Sequence, residues 1–469
     1  MDKKWRIFIL VAVSVFMTTL DSSILNVALP YIMQDLSETM STVQWVVTVY
    51  LLFVSAFLLT FGRLSDIVGR PGVYRTGFAI FTLGSFFCGI SGSLGWLVFS
   101  RAVQGLGASM LMACSPALVV DAFEPEKRGQ ALGMVGACVA AGLTLGPVTG
   151  GLLLEHFSWP VIFFINIPVG IMALSGSRVL PDSKEGPDAE TMDLAGSICM
   201  AVLVSATVFG LMKSPQWGLL SWQGGLVWLA GIGAAGGFAL NAARTPHPLI
   251  DPALFRIRMF VFPLAASMVL FAALFCLVFL MPFYLSLARG MSPAGTGLAM
   301  IVPFLFLFVV SPVSGSLADR LGSTRLCTAG MGSLALALAL TTLLSPSTGF
   351  PGVLCCLALA GLGTALFVSP NSTAVMGAVP VHRRGIASGA LATARNLGMV
   401  FGVALASGIF SRTFTGLSRG LGLDDYSPEL ADAFMTGFRY ATAAGAAVAL
   451  LGIGVTLARG GDGTGGKKQ

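Results

Sequence analysis

Asp21 lies inside an apolar run: neither Ile7–Leu20 nor Ser22–Tyr31 contains a charged residue. On insertion scales an acid at the centre of a bilayer costs about 2.5–3.5 kcal/mol, so a compensating partner or a function is expected of it. Two basic residues share this predicament, Arg101 and Arg395. A carboxylate at such depth can pair with an arginine, or it can bind and release a proton. Either role needs helices that bring charges from distant parts of the chain to one level.

Those helices are written in the composition. The chain has 469 residues, 55% hydrophobic and only 10% charged, where a soluble domain carries about 25% charged residues. Apolar stretches long enough to cross a hydrocarbon core recur along its length. We place spans at 7–31, 43–62, 73–92, 95–121, 131–154, 160–179, 193–212, 222–243, 259–285, 292–317, 324–345, 352–375, 386–411 and 434–457, fourteen in all. The runs are continuous rather than alternating, which disfavours a β-barrel. No A-x-A site follows the first apolar run, so it reads as an uncleaved helix.

Charge orients the spans. Of the 27 lysines and arginines, 20 fall on the side that carries both termini and five on the other, while Arg101 and Arg395 lie deeper. By the positive-inside rule both termini are cytoplasmic. The net charge of +6 therefore needs no nucleic acid. The connecting loops are short, which leaves no soluble domain for an enzyme. The eight cysteines all fall in spans and read as small buried hydrophobes, not as disulfides or metal ligands.

Depth then pairs two of the charges. Asp21 is about 14 residues into the first span, roughly 21 Å along a helix. In a core about 30 Å thick that is roughly 9 Å from the outer face. Arg101 enters the fourth span from that face and reaches a similar depth after about six residues. Protonating Asp21 would release Arg101, and deprotonation would restore the pair. Structural pairing without proton transfer is the other reading. Arg395, near the midplane, has no acidic partner within its half. It would attract an anionic group or brace backbone carbonyls. Asn26, Tyr50, Gln104, Asn371 and Asn396 are further polar or aromatic candidates for a substrate site.

The chain also repeats. Gly62, Leu64 and Asp66 of "GRLSDIVGR" match Gly315, Leu317 and Asp319 of "GSLADRLG" at an offset of 253. "GLG" at 105–107 returns at 361–363, Ser115-Pro116 as Ser369-Pro370, and "EKRG" at 126–129 as "HRRG" at 382–385. A unit of six spans repeated in the same orientation, with two spans inserted, accounts for the offset. This divides the chain into 1–180, a linker with two inserted spans at 181–258, and 259–469. Parallel repeats of this kind build transporters whose substrate site lies between the halves.

These motifs resemble the major facilitator superfamily, and within it the fourteen-helix drug:proton antiporter branch. "LDSSILNVALP" (20–30) is similar to that branch's first-helix motif, and "GRLSDIVGR" (62–70) to the superfamily's loop motif. "RAVQGLGAS" (101–109) is similar to the arginine motif of the fourth helix, and "GLTLGPVTGG" (142–151) to the antiporter motif of the fifth. Trp159-Pro160 and Pro71 depart from the usual pattern. The first span lacks the E-x-x-E-R signature of proton-coupled peptide transporters. The resemblance implies an all-α membrane fold of two six-helix bundles, with the first and fourth helices adjacent. It implies exchange of a small molecule for protons, with membrane lipid as surroundings and no cofactor or metal.

On this reading Asp21 and Arg101 couple protons, and Asp66, Arg70 and Asp121 form a gating latch at the cytoplasmic ends, echoed by Asp319 and Arg320. Gly142, Gly146, Pro147, Gly150 and Gly151 make a small-residue ridge that packs closely and bends at the proline. The expectation is a monomeric antiporter of a bacterial inner membrane that exports amphiphilic or hydrophobic compounds, cations among them. An exporter of an endogenous metabolite, siderophore or lipid on the same fold is the rival. A channel or a membrane-embedded enzyme would need a continuous polar pore or clustered catalytic residues, and neither is visible.

Overall fold

The structure is a computed structural model that describes residues 2–124, 127–180, 192–217, 221–245, 249, 252–380 and 384–459. The "EKRG" and "HRRG" repeats and the 181–191 part of the linker fall wholly or partly outside these residues. Helices dominate: α1 Lys3–Asp35, α2 Trp45–Val68, α3 Arg70–Gly89, α4 Leu94–Ala122, α5 Arg128–His156, α6 Asn166–Gly176, α7 Leu194–Trp217 and α8 Trp222–Arg244. They continue as α9 Arg258–Phe283, α10 Pro293–Leu321, α11 Ser323–Thr341, α12 Phe350–Gly377, α13 Arg384–Leu417 and α14 Ala431–Ala458. Single turns at Met40–Val43 and Val161–Phe164 precede α2 and α6.

Twelve helices among the described residues are long and apolar enough to cross a membrane. Two of the fourteen expected spans do not reach that standard. Arg70 and Arg75 dilute the apolarity of α3, and only Leu194–Gly210 of α7 is uniformly apolar. Local chemistry sets the helix ends. Ser93, Ser221 and Ser292 each accept a hydrogen bond from the backbone N–H three residues on, satisfying one of the donors a helix start leaves over.

The repeat is visible in the backbone. Gly69 and Gly322, 253 residues apart, separate α2 from α3 and α10 from α11 with φ of 95° and 87°. Only glycine adopts this region without strain, so each motif can turn directly into the next helix. The seams repeat as well. A Cβ on Gly107 of α4 would stand 2.8 Å from the Gly77 carbonyl of α3, and one on Gly363 of α12 would stand 2.6 Å from that of Gly330 in α11. Backbones at this distance leave no room for side chains, a packing mode suited to lipid.

The halves meet through α5 against α10 and through α2 against α13. A Cβ on Gly151 would lie 2.5 Å from the Pro293 carbonyl, and one on Gly297 would run into that of Pro147. Glu155 accepts a hydrogen bond of 3.0 Å from the Ala294 N–H at the start of α10, where the helix dipole favours an anion. Ser407 of α13 donates to Gln44, just before α2. The Gly151–Pro293, Glu155–Ala294 and Ser407–Gln44 contacts lie toward the end of the bundle opposite the termini, and Gly389 of α13 meets Leu59 of α2 nearer the other end. The pair α7 and α8 is pinned by Asp193. Its carboxylate accepts from the Gly196 N–H (2.8 Å), Asn241 Nδ2 (2.7 Å) and the Leu249 N–H (3.1 Å).

Candidate functional site

Helix α1 places Asp21 against α4 and α6, and the carboxylate there is 1% exposed. Arg101 Nη1 donates to Asp21 Oδ2 at 2.6 Å. Gln104, one turn further along α4, donates through Nε2 to Asp21 Oδ1 at 2.8 Å and to Ser85 Oγ at 2.8 Å. Asn166, at the first position of α6, donates through Nδ2 to the same Oδ1 at 2.8 Å. Three donors from two helices therefore converge on one carboxylate. Arg101 is equally well satisfied. Its Nη1 also reaches Gln104 Oε1, its Nε donates to the Val46 carbonyl at 3.1 Å, and its guanidinium lies 4.2 Å from the Tyr50 ring centroid. Charge-assisted hydrogen bonds of this kind offset the cost of burying both ions.

The expected substrate residues divide between two places. Tyr50 and Gln104 belong to the charge cluster, with Tyr50 Oη donating to the Thr18 carbonyl at 3.4 Å. Asn26 is one turn from Ser22 on α1. Its Nδ2 donates to the Ser22 carbonyl at 3.3 Å, while its buried Oδ1 has no partner. Asn371, Arg395 and Asn396 are in the other half, on α12 and α13. Asn371 Nδ2 donates to the Pro263 carbonyl at 3.0 Å. The buried Asn371 Oδ1, Asn396 Nδ2 and Thr393 Oγ1 lack partners.

At the terminal end Arg70 bridges two carboxylates, donating to Asp66 Oδ1 from Nε (3.1 Å) and Nη2 (2.9 Å) and to Asp121 from Nη1. The two carboxylates are exposed and Arg70 is half-buried between them. Nearby, Lys4 approaches Glu124 to 3.7 Å. The hydrogen bond and charge of Lys127, joined by the charge of Lys4, hold the Glu124 carboxyl below its ordinary value. In the repeated motif Arg320 borders a surface depression with Val313, Ser316 and Leu317. The side chain of Asp319 lies outside what is described.

The glycine ridge of α5 faces two ways. Gly142, Gly146 and Gly150 lie against Thr19, Ser23 and Ile24 of α1, whereas Gly151 faces α10. Pro147 leaves the Leu143 carbonyl without its usual helical donor. Ser23 Oγ donates to that carbonyl at 2.9 Å, so α1 supplies the missing bond. Helix α5 runs unbroken through the proline.

Sequence reading missed Asn166, Ser85 and Ser23 as partners, and missed Asp193 altogether. Asn166 begins a helix and belongs to no recognised motif. Asp193, three residues before a glycine at the start of an apolar run, carries a helix-start signal that was available.

A multi-pass bundle of apolar helices, built as two related halves with a buried charge cluster inside the first, is the architecture of a membrane transporter. The model of the Major Facilitator Superfamily matches residues 11–403, and the chain belongs to that family. The riboflavin transporter RibZ of Clostridioides difficile is 38% identical over 419 residues, covering 88% of this chain and 90% of the relative. The multidrug resistance protein Stp of Mycobacterium tuberculosis is 35% identical over 399 residues, 84% of this chain and 74% of the relative. Among solved structures, an auto-inhibited peptide transporter of the POT family superposes with a TM-score of 0.70 at 17% identity, covering 98% and 97% of the two chains. A bacterial homologue of the human lysosomal transporter Spinster, in an inward-facing and unoccupied conformation, gives 0.67 at 15% identity, covering 98% and 97%. These two likenesses concern the fold.

Proposed function

We propose that this transporter is a proton-coupled antiporter that exports small amphiphilic or hydrophobic molecules from a bacterial cell by alternating access. The observation that carries the reading is the Asp21 cluster. A fully buried carboxylate holds Arg101, Gln104 and Asn166 together across α1, α4 and α6. A proton on Asp21 would cancel its charge, weaken those three bonds and leave Arg101 to repack. Re-forming them after deprotonation would reverse the change, so proton occupancy would bias two packings of the same half. In this reading all fourteen helices span the inner membrane, α7 and α8 are an inserted hairpin, and both termini are cytoplasmic. The end where Ser407 meets Gln44 and Glu155 meets Ala294 is then external. The Arg70 bridge holds the cytoplasmic ends of α2, α3 and α4. The protein works as a monomer without cofactor or metal, driven by the proton gradient.

Relatives named for multidrug resistance, and for resistance to tetracenomycin C and methyl viologen, support export of foreign compounds. The similarity to a riboflavin transporter supports a second reading with equal force, an endogenous metabolite as cargo. The test uses proteoliposomes with an internal pH dye and an imposed proton gradient. Drug-like cations, anions, neutral amphiphiles and riboflavin are offered to the wild type and to Asp21→Asn. Discharge by one of these compounds through the wild type alone is the expected result, and the compound that works separates the two readings. Equal discharge through the mutant sinks Asp21 as the coupling acid.

A further inference from the structure

We infer that α7 is a strap across the divide between the halves, fastened to a different half at each end, and that it holds the arrangement in which the start of α2 meets α13. The inference rests on the alternating-access part of the proposed function, and on neither its cargo nor its proton.

Helix α7 lies against both α2 and α13, the helices that form one of the two seams between the halves. Helix α8 packs on α7 at close range. A Cβ on Gly231 would stand 3.3 Å from Ala206, one on Gly237 3.2 Å from Cys199 Sγ, and one on Gly210 3.1 Å from the Trp228 ring. The pair therefore moves as one body.

The two ends of α7 are held by different halves. At the end opposite the termini, the far end, the Phe209 ring centroid lies 5.7 Å from that of Trp45 and 5.6 Å from that of Trp217. Thr48 Oγ1 of α2 donates to Met212 Sδ at 3.8 Å, and both residues are buried. Gln44, which accepts from Ser407 of α13, directly precedes Trp45 and is one turn from Thr48. Helix α7 thus grips α2 beside the bond that joins α2 to α13. At the terminal end, Asp193 accepts from the Leu249 N–H at 3.1 Å. Shortly after Leu249, in the turn Pro252–Arg256, Leu254 is buried in a cluster with Phe260 of α9, Val375 of α12 and Leu391 of α13. That short segment ties the start of α7 to the second half.

Opening the far end parts Gln44 from Ser407 and draws α2 away from α13. A helix packed on both cannot follow both, so α7 loses either its grip on α2 or its cover over α13. In lipid the loss is one of fitted packing and of ring and sulfur contacts, since lipid tails are as apolar as the side chains they would replace. Contacts made in one arrangement and lost in the other bias the equilibrium between them.

The test is hydrogen–deuterium exchange of the purified protein in lipid nanodiscs, at one pH and without cargo. It compares segments 40–52 and 404–417 at the far end with segments 59–75 and 384–392 at the terminal end. Rocking of the halves speeds exchange at one end and slows it at the other, whereas local loosening only speeds it. Phe209→Ala frees the grip on α2. Asp193→Ser frees the opposite end, because serine still caps the start of α7 but is too short to hold Asn241 and Leu249 as well. Each is expected to speed far-end exchange by about threefold or more, the scale of one lost aromatic contact or buried hydrogen bond, and to slow exchange at the terminal end. The strap is overturned if either folded variant leaves far-end exchange unchanged, if exchange rises at both ends, or if the rise is confined to α7 and α8. Should Phe209→Ala or Asp193→Ser not fold, Phe209→Leu or Asn241→Ala takes its place under the same outcomes. Gly297→Val, which wedges α10 off the Pro147 carbonyl at the other seam, should give the reciprocal pattern by itself. If it does not, the alternating-access reading fails and takes the strap with it. If it does and Phe209→Ala does not, the strap alone fails.

Discussion

The seam between α3 and α4 and the seam between α11 and α12 are built alike. Gly77 and Gly107 in one, and Gly330 and Gly363 in the other, bring backbones into contact at matching places. The halves around them treat charge in opposite ways. In the first, Arg101 is enclosed by Asp21, Gln104, the Val46 carbonyl and the face of Tyr50. In the second, Arg395 has no partner among the described residues, and Asn371, Thr393 and Asn396 each bury a polar atom without one. A duplicated scaffold has kept its backbone geometry and divided its polar chemistry into a closed network and an open one. The closed network can store a charge state internally.

That comparison can be broken. Asp21→Ala would leave Arg101 buried and unpaired, and should cost about 3–5 kcal/mol, read as a fall in stability by denaturant or thermal unfolding in detergent. A loss as small as that of a surface substitution would mean the first half is open too. Gln104→Leu removes one donor to Asp21 and one acceptor for Arg101, and should cost about 1–3 kcal/mol in the same assay. Arg70→Gln tests a different kind of charge. Its two carboxylate partners are exposed, so stability should change by no more than about 1 kcal/mol, even if transport slows. The smallest effect is expected at Arg395. Removing a half-buried cation with no partner among the described residues relieves a cost, so Arg395→Gln should leave the melting temperature unchanged or raise it. A large destabilisation there would show that Arg395 is already satisfied and would erase the contrast between the halves.

Much of this was legible in the residues. Counting residues from each membrane face paired Asp21 with Arg101, because helix rise is constant, the first span starts beside Lys3, Lys4 and Arg6, and the fourth follows the short Ser91-Gly92-Ser93 turn. The glycine ridge of α5 was legible as a packing surface, because glycines at i, i+4 and i+8 share a face. What it packs against was not legible. Gly151 is rotated away from Gly150 and touches the other half, a distinction only the tertiary arrangement supplies. The role of Gln104 was half visible. Its spacing from Arg101 puts both on one helical face, but its bonds to Asp21 and Ser85 depend on α1 and α3. Asn166 was invisible, since a single asparagine after a broken turn carries no periodic signal. The apolar pattern also overstated α3, where two arginines sit within the first turns.

One bond in the structure bears on how the two ends of the first helix communicate. Ser23 Oγ holds the Leu143 carbonyl that Pro147 leaves unbonded, and Asp21 is two residues away on the same helix, about 3 Å along its axis. The segment of α5 that bends most readily is therefore fastened beside the buried carboxylate of Asp21. Pro147 and Gly151 of that segment are also the residues that touch α10 across the divide. A twist of α1 that turned Asp21 away from Arg101 would drag the clasp at Ser23 with it. The route from the charge to the partition between the halves runs two residues along α1, across one hydrogen bond, and four residues along α5.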